Sequence, residues 1–241
     1  MNYQLNVIQW LMILAIIAMP VYCLFDGDKT KQAVIAGVKS KRSMYKSTML
    51  FLWLPTGVLI YGLMFGYLSF ESLGLVWLST TANWVGVGLV VATAGYFVLS
   101  TLSVKANPKL QAEMSAAYQQ HSWMMPTSKN ELRWFTGGVS VSAGICEELL
   151  FRGFVLSLAD DLSMSLGLLL VSSVLFGLCH LYQGWGNVLR TGVVGMVLGV
   201  IYLLTDSLWV PIALHILVDA YGGVMCYLVL TREHQDLVAT Y

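Results

Sequence analysis

Ionisable side chains stand inside apolar stretches in the C-terminal half of this 241-residue chain. In chain order they are Glu147, Glu148, Arg152, His180, His215 and Asp219. A charged group at the centre of a bilayer costs at least about 2.5–3.5 kcal/mol on insertion scales, and such groups usually face one another or a water-filled cavity. Their clustering therefore needs a shared reason, and carboxylates beside imidazoles indicate acid–base chemistry within the membrane.

The first group contains two adjacent carboxylates with different surroundings. Glu148 and Arg152 are four residues apart, the helical spacing at which a carboxylate and a guanidinium pair. Glu147 points to another face and has no partner in its own helix, which leaves it the freer carboxylate and the candidate general base. The alternative is that all three side chains form a structural polar contact between helices.

The two histidines belong to separate apolar segments. Phe176 precedes His180 by one helical turn on the same face, and His215 precedes Asp219 by the same step. Taken singly, His180 can be interpreted as an interfacial histidine, and His215 as a core histidine whose ring is held by Asp219. Taken together on successive segments, these residues indicate one site.

Two chemistries fit this set of residues. In the first, Glu147 and His180 deprotonate a water that attacks a peptide carbonyl, while His215 and Asp219 hydrogen-bond the developing oxyanion. In the second, Glu147, His180 and His215 bind zinc, and the metal-bound water is the nucleophile. The sequence has no His-Glu-x-x-His motif, so we expect no cofactor and keep zinc as the alternative.

Cysteine offers a third nucleophile, because Cys146 adjoins Glu147 and Cys179 adjoins His180. Adjacent helical residues point about 100° apart, so a face that presents Glu147 and His180 turns both thiols aside. We therefore interpret the four cysteines as buried small hydrophobic residues, and keep the cysteine nucleophile as the less favoured alternative.

Composition places these residues in a membrane protein. The chain is 57% hydrophobic and 11% charged, and its mean hydropathy is +0.71. Apolar runs of about twenty residues are long enough to cross a bilayer as helices. We predict an all-α, polytopic bundle of about seven spans: Leu5 to Phe25, Thr48 to Phe70, Trp84 to Val104, Phe135 to Leu158, Leu162 to Tyr182, Val188 to Leu204, and Leu208 to Leu230.

The basic residues predict an orientation, because cytoplasmic loops carry the excess of Lys and Arg. With seven spans, every Lys and Arg except Arg152 falls on one side of the membrane. The N-terminus is then outside, and the stretch from Thr231 to Tyr241 is cytoplasmic. The basic loops lie directly between spans, so we assign them to the lipid bilayer and not to nucleic acid.

Three motifs together carry a family resemblance: Glu147-Glu148-x-x-x-Arg152, Phe176-x-x-x-His180 and His215-x-x-x-Asp219. In order and spacing they resemble the CAAX protease and bacteriocin-processing (CPBP, or Abi) family of intramembrane endopeptidases, over roughly Trp134 to Leu230. The resemblance implies four core helices around a cavity. It implies Glu147 as general base, His180 as its partner in activating water, and His215 with Asp219 as the oxyanion site. Glu148, Arg152 and Phe176 are supporting residues.

The resemblance also implies a metal-independent, glutamate-type protease. It implies the bacterial type, because Asp219 stands where eukaryotic members that process prenylated proteins have Asn. A cytoplasmic (inner) bacterial membrane is the expected location, and a peptide or membrane protein is the expected substrate. One geometric difficulty accompanies this prediction: the predicted span boundaries place His180 near the cytoplasmic end of its helix and His215 nearer the other face.

Two regions follow from where the candidate residues lie. Residues 1–133 are expected to form accessory helices and loops, and residues 134–241 the protease core, within one membrane domain. The main alternative from a different class is a non-catalytic membrane protein, such as an immunity or scaffold protein, that uses the same cavity for binding. A proton-coupled transporter is a third, because intramembrane Glu and His also build proton relays.

Overall fold

In the computed structural model, the backbone is described for residues 4–239 and side chains for residues 4–231. No strand occurs in that part of the chain. Its α-helices are α1 (Val7–Ile35), α2 (Lys41–Met64), α3 (Thr81–Ala106), α4 (Pro108–Gln119), α5 (Lys129–Trp134), α6 (Ser140–Glu148), α7 (Leu162–Leu178), α8 (Trp185–Thr205) and α9 (Trp209–Ala239). The chain is an all-α, polytopic membrane bundle, as the sequence predicts.

Five helices are long and apolar enough to cross a membrane: α1, α2, α3, α8 and the Trp209–Thr231 part of α9. The other two predicted spans differ from their expected form. The predicted fifth span, Leu162 to Tyr182, is too long, because α7 ends at Leu178 after 17 residues and a short 3-10 helix, Leu181–Gln183, follows. The stretch from 232 to 241, predicted to be cytoplasmic, lies outside the residues whose side chains are described.

The predicted fourth span, Phe135 to Leu158, is a composite helix that starts earlier, at Lys129. A π-helical segment, Phe135–Val139, joins α5 to α6, and a second π-helical segment, Leu149–Phe154, follows α6 directly. A π turn contains more residues than an α turn, so it rotates the side chains after it relative to those before it. Hydrophobic periodicity predicts neither π-helical segment. The second of them contains Arg152.

Local capping signals determine where the helices begin. The side chains of Ser40, Thr80 and Asp161 each accept a hydrogen bond from the backbone N–H three residues later, at the starts of α2, α3 and α7. These short polar side chains satisfy backbone donors that a helix start leaves unpaired. Between α8 and α9 the chain reverses through Asp206, whose φ of 50° ends α8 in the left-handed region.

The composite helix lies at the centre of the bundle. Its α6 part packs against α2 and α9, α7 packs against α8, and α1 packs against α2, α7 and the 3-10 helix. Leu150, Phe151 and Phe154 of the second π segment are buried in the main apolar core. Glu147, Glu148 and Arg152 therefore lie in the part of the composite helix that contributes to the main apolar core, whereas long apolar faces, such as that of α3, remain exposed for lipid.

Candidate active site

Glu148 connects the composite helix to α9. One of its oxygens, Oε1, accepts a hydrogen bond from Arg152 Nη1 at 2.8 Å and contacts His215 Nδ1 at 2.7 Å. The side chains of Glu148 and Arg152 are completely buried. The predicted Glu148–Arg152 pair is thus present, and the same Glu148 oxygen also contacts His215. Because a buried charge is tolerated only when it is paired, this contact fixes α6 and α9 relative to each other.

The other nitrogen of the His215 ring lies between two further carboxylates. His215 Nε2 is 3.5 Å from Glu147 Oε2 and 3.8 Å from Asp219 Oδ2. Asp219, the residue that the alternative interpretation has holding the ring, lies within ion-pair distance, and Glu148 makes the shorter, hydrogen-bonding contact. Asp219 is the more open carboxylate, with a side chain 34% exposed against 14% for Glu147. The Nε2 edge therefore faces the groups that remain available for chemistry.

His180 lies beyond the end of α7 and turns back toward it. Its Nδ1 is 2.9 Å from the backbone carbonyl oxygen of Phe176, so Nδ1–H donates and Nε2 is left free. The ring of Phe176 has edge contacts with both imidazoles, at centroid distances of 5.2 Å to His180 and 5.9 Å to His215. Arg152 stacks on the same ring, 4.4 Å from its centroid. Phe176 thus contacts Arg152 and both histidines.

These contacts resolve the expected difference in membrane depth between His180 and His215. The predicted boundaries place the two residues toward opposite faces of the membrane, yet both rings contact one phenylalanine. Because α7 stops at Leu178, His180 is not part of a helix that continues to Tyr182. Its side chain bonds one turn back, to Phe176, which brings the ring deeper than its position at the end of the span indicates.

A cavity of about 160 Å³ contains Glu147 and His180. It extends between α1 and α2 and is covered by Trp123 and Met124 of the α4–α5 connection. The expectation that four C-terminal helices enclose the cavity is therefore incomplete. Most of the described lining residues precede α5: Met19, Tyr22, Cys23, Asp26, Gly27, Thr30, Met44, Tyr45, Ser47, Thr48, Phe51, Leu52, Trp123 and Met124.

Sequence reasoning missed two polar groups in this wall. Tyr182 lines the cavity, and its ring stacks on His180 at 6.4 Å. Asp26 also lines it and accepts a hydrogen bond from the Thr30 hydroxyl at 3.2 Å. The sequence signal was the four-residue spacing of Asp26 and Thr30. Because α1 stays helical beyond the predicted end of its span at Phe25, these two residues lie one turn apart on one face.

The cysteines divide into two kinds. Cys146 is fully buried in the apolar core, as expected. Cys179 lines the cavity beside His180, so the expectation that both thiols are turned aside is wrong for this residue. The 100° rule for adjacent residues applies within a helix, and α7 ends before Cys179. Cys23 of α1 lines the same cavity.

The zinc alternative requires a group of donors converging on one point. Among the residues with described side chains, no set of three His, Cys, Asp or Glu side chains is arranged to hold a metal ion. Glu147, His180 and His215, the proposed ligands, do not form such a set. The residues present do not fit the zinc site, and we derive no step through a metal.

Residues 129–221 match the family described as type II CAAX prenyl endopeptidase, Rce1-like. This stretch, the Rce1-like region, is similar to that family. It begins at the first residue of α5 and ends in α9, so it contains every candidate residue of the site. The similarity supports an intramembrane protease-type function, and the apolar helices make the chain a multi-pass membrane protein.

The Rce1-like region covers less than half of the chain. It excludes α1 to α4 and most of α9, and therefore most of the described cavity wall. No curated protein matches the chain, and no solved structure matches it. The Rce1-like region thus contains the buried carboxylates and imidazoles, while most of the described cavity wall comes from segments outside it.

Proposed function

We propose that this chain is an intramembrane endopeptidase that uses Glu147 as general base. The observation that carries the proposal is the position of Glu147: it lies in the cavity wall with His180 and 3.5 Å from His215 Nε2. A water held between Glu147 and the free Nε2 of His180 loses its proton to the Glu147 carboxylate as its oxygen attacks the scissile carbonyl carbon. The same proton then passes to the leaving amine.

His215 stabilises the tetrahedral oxyanion in this mechanism. With both ring nitrogens protonated, Nδ1–H donates to Glu148 and Nε2–H donates to the oxyanion. Glu148 and Arg152 are positioning residues, because they hold the imidazole and do not reach the substrate. Asp219 lies on the Nε2 side and is open enough to accept a hydrogen bond from a substrate backbone N–H.

The proposed substrate is a peptide or membrane protein with an apolar segment near the scissile bond. The cavity wall supports this class, because aromatic rings, methionines and aliphatic side chains supply much of it, and polar groups such as Asp26, Thr30 and Glu147 are placed among them. Such a pocket distinguishes apolar groups by size, at about 1–3 kcal/mol for each methylene group. Residues 134–241 then carry the reacting groups, and residues 1–133 shape the pocket.

We further propose that the Lys- and Arg-rich connections lie in the cytoplasm of a bacterial cell, with the N-terminus outside. Among the described residues, every Lys and Arg except Arg152 lies toward a helix end or in a connection. Alternation of the predicted spans puts all of these on one side of the membrane. In this orientation the cavity residues Asp26, Thr30 and Tyr45 lie toward the cytoplasm. The substrate would enter from that side or laterally between α1 and α2.

The cellular test compares membrane and released peptides between cells that express the wild type and cells that express Glu147→Ala, by mass spectrometry. We expect substrate to accumulate uncleaved only in Glu147→Ala cells. Glu113→Ala is the matched control, because Glu113 is an exposed carboxylate of α4 away from the cavity. Identical peptide profiles in all three strains would favour the non-catalytic binding role instead.

A further inference from the structure

Two exposed cations at the start of α2 share one aromatic ring. Arg42 Cζ lies 5.0 Å from the ring centroid of Trp134, and Lys46 Nζ lies 5.4 Å from it. The two residues are four apart and therefore on one face of α2. Trp134 packs against the buried cluster that contains Tyr45 and Phe135, so the ring is a fixed platform. This arrangement brings two positive charges together at one place.

The structure supplies no counter-ion for this pair. Within residues 4–231, no carboxylate lies within 4.0 Å of Arg42 or Lys46. Glu131 is engaged elsewhere: its Oε2 accepts hydrogen bonds from the N–H and hydroxyl of Thr127, at 2.9 and 3.1 Å, and lies 3.8 Å from Lys41. Like charges at this spacing repel each other. An anion from outside the described chain would relieve that repulsion.

The position along α2 indicates what kind of anion. Ser40 caps the helix, so Arg42 belongs to the first turn, where unpaired backbone N–H groups also attract negative charge. This turn begins an apolar span, and tryptophan is enriched at the depth of lipid headgroups. Farther along the same side of α2, Leu50 and Leu54 are more than 60% exposed. An apolar track therefore runs into the membrane below the two cations.

We propose that Arg42, Lys46 and Trp134 form a binding site for the phosphodiester headgroup of an anionic phospholipid. The guanidinium and the ammonium bind the phosphate oxygens with charge-assisted hydrogen bonds, and the acyl chains lie along Leu50 and Leu54. Free phosphate would satisfy the cations equally well, but the apolar track favours the lipid. This site is separate from the candidate active site and does not depend on the proposed protease function.

The test uses the purified full chain in detergent and native mass spectrometry. Phosphatidylglycerol and phosphatidylcholine with identical acyl chains are added in turn, and retained lipid is counted for the wild type and Arg42→Gln/Lys46→Gln. We expect the wild type to retain phosphatidylglycerol preferentially and the double variant to lose roughly tenfold in its affinity. Lys105→Gln/Lys109→Gln, which removes two exposed cations elsewhere, should retain the lipid as the wild type does.

The exchanged pair Arg42→Lys/Lys46→Arg keeps both charges and should retain the lipid, even if the neutral variant folds poorly. Equal retention by the wild type and the neutral variant would overturn the proposal, and so would equal loss in the Lys105/Lys109 control. Inorganic phosphate alone provides the last comparison. If it raises the melting temperature of the wild type but not of the neutral variant, and phosphatidylglycerol is not preferred, the ligand is a soluble phosphate and the lipid proposal fails.

Discussion

At the scale of single residues, Glu148 has two functions in the site. Its Oε1 contacts both Arg152 and His215, so one buried atom balances a guanidinium and orients an imidazole. The four-residue spacing predicted its pairing with Arg152. The contact with His215 could not be predicted, because it joins residues 67 positions apart in the chain. The division of the adjacent glutamates into a paired and a freer one followed from the sequence.

Glu148→Leu should destabilise the protein by about 3–5 kcal/mol, because it leaves Arg152 as an unpaired buried charge. Glu148→Leu/Arg152→Leu should recover most of that stability, because no buried charge is then left alone. Peptide cleavage should stay at least about 100-fold below wild type in both variants, because His215 loses its Nδ1 partner. Thermal unfolding and a cleavage assay distinguish the two effects. Restored cleavage in the double variant would limit Glu148 to a structural role.

Cys179→Ala tests the alternative nucleophile in the cavity. Direct attack by water needs no thiol, so we expect cleavage within about threefold of wild type. Cys146→Ala, which alters a buried thiol outside the cavity wall, serves as the matched control. Cys179 as nucleophile would instead give a thioester, which hydroxylamine intercepts as a hydroxamate. Loss of cleavage only in Cys179→Ala, together with a hydroxamate product from the wild type, would contradict the glutamate mechanism.

At the scale of helices, the site depends on how closely α6 approaches α9. Apolar length predicted that these helices exist, and the order of the motifs predicted which ones carry the site. The two π-helical segments were not predictable, because they reflect how the composite helix adapts to its neighbours. Neither was the end of α7 at Leu178, since the apolar run continues without a break through Cys179.

Gly144→Ala should separate the two helices. A methyl group at Gly144 would collide with the side chain of Ile216, and the backbone of α9 lies just behind it, with Ile212 O at 3.2 Å. We expect a stability loss of about 1–3 kcal/mol and a fall in cleavage, because His215 is displaced from Glu148. Gly137→Ala is the control in the same composite helix, since nothing lies within 4 Å of its added methyl. Equal effects of the two substitutions on unfolding and cleavage would contradict this role for Gly144.

At the scale of the molecule, the reacting groups and the pocket wall come from different parts of the chain. The Rce1-like region supplies Glu147 and His180, whereas α1, α2 and the α4–α5 connection supply most of the described wall. The accessory role predicted for residues 1–133 remains a prediction, but their contribution to the cavity is larger than that description implies. The sequence could not show this, because no motif connects these residues to the site.

Trp123→Ala should therefore change which peptides are cleaved. Trp123 lines the cavity and packs edge-on against Tyr182, 6.2 Å between centroids, so its removal enlarges the pocket. With a peptide library, we expect preference to shift by roughly tenfold or more toward larger apolar groups, with cleavage still dependent on Glu147. Trp84→Ala, an exposed tryptophan of α3, is the control. An unchanged preference would show that the N-terminal helices do not set selectivity.

The most direct test of the central claim is peptide cleavage by the purified chain in lipid vesicles, with wild type and Glu147→Gln compared side by side. Glutamine keeps the size of the side chain but cannot accept the proton from water. We predict that Glu147→Gln lowers the cleavage rate at least about 1,000-fold and leaves the melting temperature within a few degrees of wild type. We also predict that chelators do not inhibit the wild type. Cleavage by Glu147→Gln at the wild-type rate would contradict the account.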